Sequence, residues 1–245
     1  IPYDPDTGVA PYSKFLADDF VCTRTGPITD IHVWGSWLDD VNPDVTAKTF
    51  QVGIYSNIPE GPDNPYSTPG ELLWQARLQP TERVYKRNVQ EAFFDPNQYD
   101  PGANDGIIGS DTIVWQYNFD IPAEEAWRQQ EGTVYWLGLT LLPDVNADGI
   151  VDDEEPSTWI DQVRATYGWK TADPNLYPDG FEGTHFMDDA VWTDINPAGP
   201  YLPDQPFWRE LRDPRTAHSL DLSFVITPEP ATMTLLALGA GTCLI

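Results

Sequence analysis

Oxygen-bearing side chains at alternate positions carry the strongest chemical signal in this chain. Asp144, Asn146 and Asp148 are spaced by two, Gly149 follows, and Asp152 and Glu155 close the stretch beyond Ile150 and Val151. A hard divalent cation such as Ca2+ takes about six to eight oxygen ligands at roughly 2.3–2.6 Å. A tightly wound loop turns every second side chain inward, so this spacing gathers carboxylate and amide oxygens around one point. A glycine at the bend adopts the backbone of a sharp turn without steric penalty.

Residues 144–155 resemble the twelve-residue calcium loop of EF-hands and dockerins, with every required position filled. The resemblance implies Ca2+ ligands at Asp144, Asn146 and Asp148, a backbone carbonyl from Ile150, Asp152 acting directly or through water, and a bidentate Glu155. Val151 takes the place of the apolar anchor beneath the loop. Residues 134–142 read as a strand and Pro156 follows immediately, so a paired helix-loop-helix sensor is not expected. The expectation is one structural calcium staple in a connection between two strands; an acidic solvated loop is the plainer alternative. Residues 100–111, containing Asn104-Asp105-Gly106, miss the spacing and read as a turn.

Catalytic constellations are not found. His32, His185 and His218 lack zinc-ligand spacing, and there is no Gly-x-Ser-x-Gly elbow, phosphate loop or dinucleotide glycine fingerprint. Asp18-Asp19, Asp39-Asp40 and Asp188-Asp189 have the residue type a glycosidase uses. With 39 acidic residues such pairs arise freely, so solvated edges are the expectation. Cys22 sits in a strand-like run and reads as a buried small hydrophobe, while Cys243 lies in an apolar tail, so no disulfide framework is expected. The chain reads as non-catalytic.

Ten tryptophans permit a rival reading, because flat rings stack on pyranose faces. Trp115 and Trp136 alternate within strand-like runs and read as core. Most of the tryptophans read as core; Trp192 and Trp208, in loop-rich acidic sequence, are the better candidates for exposure and for binding a polysaccharide.

The elements that must position these residues are short and extended. Twenty-four prolines and eighteen glycines punctuate runs rich in β-branched and aromatic residues. Strands are predicted over residues 18–23, 28–37, 48–56, 71–78, 112–119, 133–141, 165–171 and 219–226, several with a period of two. Ile31, Val33, Gly35 and Trp37 fall on one face of residues 28–37, with His32, Trp34 and Ser36 on the other. Residues 122–130 open on proline, place acids first and Arg128 later, and are predicted as a short helix. The fold class expected is all-β, an antiparallel, jelly-roll-like β-sandwich with one short helix and a C-terminal apolar helix. Residues 1–227 read as one domain and 228–245 as a tail.

A formal charge of -26 argues against nucleic acid and anionic lipid as partners and favours divalent cations and life outside the cytoplasm. The tail begins Pro228-Glu229-Pro230 and continues with an uncharged apolar run. It resembles the PEP-CTERM sorting signal of bacterial envelope proteins, which implies processing by an exosortase-type enzyme and membrane contact through the tail alone. The basic cluster of that signal is missing, and fifteen residues as a helix span roughly 22 Å, short of a bilayer core of about 30 Å. The start at Ile1 reads as a mature chain whose secretory signal is gone. In the body, residues 17–22, 28–37, 168–170 and 188–192 resemble a set of secreted, planctomycete-type proteins, which implies secretion and a β fold. Together these readings describe a non-catalytic protein of the cell surface or extracellular matrix. It would be calcium-stabilised and would self-associate or join other surface proteins.

Overall fold

Strand alternation decides the architecture. The computed structural model describes residues 14–41, 48–62, 64–100, 104–142, 167–172, 190–194, 208–213 and 220–228. Among these, the long strands are β1 (Lys14–Val21), β2 (Gly26–Trp37), β3 (Thr49–Ile58), β4 (Thr68–Leu78), β5 (Thr81–Asp100), β6 (Asn104–Asp120) and β8 (Val134–Leu142). Short strands are β7 (Arg128–Gln129), β9 (Tyr167–Trp169), β10 (Thr171–Ala172), β11 (Val191–Asp194), β12 (Arg209–Glu210), β13 (Asp221–Leu222) and β14 (Phe224–Pro228).

They form two large antiparallel sheets and a two-stranded one, β10-β13. The first has the order β12-β11-β1-β8-β3-β4, and the second β14-β2-β6-β5 with β7 and β9 also on β2. Between the sheets, Ile31 and Val33 of β2 and Tyr117 and Phe119 of β6 meet Phe50, Val52, Ile54, Leu137 and Leu139. Phe50 contacts the rings of Tyr117 and Phe119 at 5.3 and 5.5 Å. Burying each large apolar side chain contributes about 1.5–3 kcal/mol, which makes this layer the main stabilising one. The expected all-β sandwich is present, and the predicted faces of residues 28–37 and 48–56 are the observed ones.

A second, smaller core covers the other face of the first sheet. Phe15, Ala17, Tyr55, Trp136, Val191 and Trp208 form it. It depends on Gly53 and Gly138, which pair directly across β3 and β8. A Cβ on Gly138 would stand 2.3 Å from the Phe15 ring, and one on Gly53 2.9 Å from the Tyr55 ring. Bare backbone lets both aromatics lie against the sheet.

One edge of β2 is shared. β14 pairs with it up to Val33, and β9 takes over at Gly35. At the handover Trp34 donates its N–H to Ser223 (3.1 Å), and Lys170 donates to the Trp34 carbonyl (2.8 Å). The handover places Lys170 between β9 and β10, alongside β2.

Two predictions are corrected. Residues 122–130 are not a helix: a turn bonds Glu125 N–H to the Pro122 carbonyl (2.9 Å), and β7 adds to Gly26 and Pro27. Tertiary contacts override the helical pattern, since Trp127 packs on Tyr135 at 4.8 Å and Trp74 Nε1 donates to the Glu125 carbonyl. The turn expected over residues 100–111 is strand from Asn104 onward, paired with β5. No helix among the described residues is long and apolar enough to cross a membrane. The predicted C-terminal helix lies outside the described residues.

Candidate functional site

The most concentrated polar chemistry lies where β5, β6 and β2 meet the residue that joins β9 to β10, Lys170. Lys170 Nζ is 2.7 Å from Asp111 Oδ1, 2.8 Å from Asp111 Oδ2 and 2.7 Å from Glu91 Oε2. Ser36 Oγ, on β2, donates to Asp111 Oδ2 at 3.1 Å. The Asp111 side chain is 1% exposed, Lys170 13% and Glu91 27%. Burial pushes the Asp111 carboxyl above its ordinary range, opposed by the bond and charge of Lys170 and by the Ser36 hydroxyl, while Glu91 adds to the rise. Asp111 is buried within β6, and the register of β9 on β2 delivers Lys170 close to it.

Asp40 braces the same central stretch of β6. Its carboxylate accepts the N–H groups of Thr112 and Ile113 at 2.8 and 2.9 Å and the Thr112 hydroxyl at 2.6 Å. Burial pulls Asp40 up, but these bonds and the charge of Lys170 outweigh it and hold the carboxyl below its ordinary value. To reach β6, Asp39 and Asp40 both adopt left-handed backbone, with φ of 54° and 58°. Aspartate tolerates this region better than most residues.

Asp18 and Asp19 are not the solvated edge expected of them; they are 3% and 7% exposed. Asp18 accepts the N–H of Leu222 at 2.6 Å and that of Asp19 at 2.9 Å, tying β1 to β13. Burial, followed by the charges of Asp221 and Asp19, drives its carboxyl well above the usual range against those two hydrogen bonds.

Trp192 and Trp208 are likewise corrected. Both are buried, at 4% and 7% exposure. Trp192 lies between Lys14 Nζ at 5.4 Å and Arg209 at 4.6 Å, and Trp208 packs on Phe15 and Tyr55. The acidic, proline-rich sequence around them signals loops, but not what the loops cover. A half-exposed polar row instead crosses the outer face of the second sheet. His32 Nε2 meets Asp30 at 2.9 Å, and the Gln116 amide lies 3.2 Å from His32 Nδ1 and donates to Asn118 at 2.8 Å. Trp34, opposite Gln116 in register, borders this row. Cys22 is buried, as expected; its thiol donates to the Arg24 carbonyl and burial raises its pKa.

The calcium candidates Asp144, Asn146, Asp148, Ile150, Asp152 and Glu155 lie outside the described residues, as do Glu229, Pro230, His185, His218 and Asp188-Asp189. Pro228 ends β14. Among the described residues no group of three or more His, Cys, Asp or Glu is placed to hold a metal. Sequence reasoning missed the Lys170 cluster. One signal was available: with only 13 basic residues, a lysine inside an aromatic strand run needs a buried partner.

A family model described as "Domain of unknown function (DUF7901)" matches residues 2–227. The chain belongs to this family. No curated protein and no solved structure matches it. For this DUF7901 chain, function therefore has to be argued from its own residues.

Proposed function

We propose that this chain is a non-catalytic, exported structural protein of the cell surface or extracellular matrix, stiffened by calcium and assembling with copies of itself. The observation that supports this most is the work of its carboxylates. Asp18, Asp40 and Asp111 come from three different strands or turns, and each holds elements together through backbone N–H groups, a hydroxyl or Lys170. The charge of -26 suits divalent cations, with Asp144, Asn146, Asp148, Ile150, Asp152 and Glu155 as the ligands of one Ca2+. Pro228-Glu229-Pro230 would mark the tail for an exosortase-type enzyme. Small residues at Ala237, Gly239, Ala240 and Gly241 would let apolar tails pack closely.

Negative-stain electron microscopy of the full chain and of a chain lacking residues 228–245, each with calcium and with EGTA, tests this reading. Fibres or layers that need the tail are expected. Monomers under every condition would reject self-assembly, and assembly that ignores the deletion would reject the role of the tail.

A second reading, glycan binding, is favoured by the Trp34 border of the polar row. An indole face beside imidazole, amide and carboxylate groups matches the apolar face and hydroxyl rim of a pyranose. Retention on polysaccharide columns that is lost in Trp34→Ala would support it; equal elution of both proteins would remove it.

A further inference from the structure

We propose that Lys170 and Asp111 become joined by an intramolecular isopeptide bond, formed by the folded chain itself with Glu91 as the proton acceptor. The geometry is that of reactants held in contact. Lys170 Nζ lies at nearly equal distances, 2.7 and 2.8 Å, from the two Asp111 oxygens, which sets the nitrogen against the carboxyl carbon between them. Glu91 Oε2 touches the same nitrogen at 2.7 Å. Groups fixed this way react at effective concentrations far above any reached in solution.

The site also supplies the chemistry. Amide formation needs a neutral amine, a protonated carboxyl and a base that moves the proton between them. Burial disfavours the charged form of Asp111 and raises its carboxyl toward the protonated form the reaction needs. Glu91 takes one proton from the Lys170 ammonium, and the freed electron pair attacks Asp111 Cγ. The N–C bond forms and one C–O bond breaks, with the oxygen leaving as water. The two protons lost by the ammonium both depart in that water, one of them through Glu91. Ammonium and carboxylate thus give amide and one water, with no oxidant or co-reactant. The Ser36 hydroxyl, donating to Oδ2, is placed to stabilise the negative charge that develops on oxygen. The product replaces two buried charges with a neutral amide and so removes the desolvation cost of the ion pair.

The bond would tie the centre of β6 to the strand beside β2 across 59 residues of chain. It stands independently of where the protein resides or whether it assembles.

Intact-mass spectrometry of the full chain tests it. The folded protein is expected to be lighter than its sequence by one water, and proteolysis should release a branched peptide linking Lys170 to Asp111. A water lost as a cyclic imide at Asp105-Gly106 or Asp148-Gly149 leaves no branched peptide, so that peptide decides. Lys170→Arg, Asp111→Ala and Glu91→Gln should each show the full sequence mass, and Glu91→Gln keeps the lysine–aspartate contact while removing the base. Full mass in the folded wild-type chain after prolonged incubation overturns the proposal. A cross-link that persists in a Glu91→Gln chain with native circular dichroism overturns the role of Glu91.

Discussion

Asp18 carries a cost that pH exposes. Its carboxyl accepts two N–H groups, yet burial still raises its pKa well above that of an unfolded aspartate. Between the unfolded and folded values the native state binds more protons than the unfolded one, so stability falls as pH rises through that window. The contribution is full below the unfolded value and lost above the folded one. Asp18→Asn keeps an acceptor for Leu222 without a charge. Its urea midpoint relative to wild type is therefore expected to improve as pH rises above the ordinary aspartate value of about 4. A parallel pair of curves would show that Asp18 does not titrate in this range. Nothing in the sequence distinguishes Asp18 from the other acids. Its burial follows from the pairing of β1 with β11 and β8, and local composition is silent on such long-range pairing.

Strands were legible where one face was apolar and the other polar. Residues 28–37 and 48–56 alternate because each turns one row of apolar residues to the inter-sheet core, while the other row is the outer polar row in β2 and faces the smaller core in β3. β5 was missed for the converse reason: Thr81, Glu82 and Arg83 begin it with polar residues on both faces, as befits a sheet edge. The false helix at residues 122–130 had good local signals, but Gln129 is buried where β7 pairs with β2, and Trp127 packs against the core beside it. The glycines of β3 and β8 show the same precedence of packing over propensity. Gly138→Ala must displace the fully buried Phe15 ring and crowd Tyr55. Overpacking of this kind costs about 1–3 kcal/mol, to be read as a lower denaturant midpoint with an unchanged slope. Gly61→Ala, where a Cβ meets nothing within 4 Å, should change the midpoint little and serves as the control.

Across the whole molecule, 39 acidic side chains oppose 13 basic ones, and any bound cation relieves repulsion. That general relief has to be separated from a specific site at residues 144–155. A ligand that binds only the folded state stabilises by about 2.7 kcal/mol at one hundred times its dissociation constant. For a chain of this size, that corresponds to a rise in Tm of roughly 5–10 °C, at about 2–4 °C for each kcal/mol. Calcium should produce such a rise and EGTA should abolish it. Asp148→Ala should remove the rise while leaving the calcium-free Tm near that of wild type, because the change touches only a proposed ligand. Sodium chloride at matched ionic strength supplies screening without coordination. An equal rise in sodium, or a full calcium response in Asp148→Ala, would assign the effect to screening of the acidic surface and remove the case for a calcium staple.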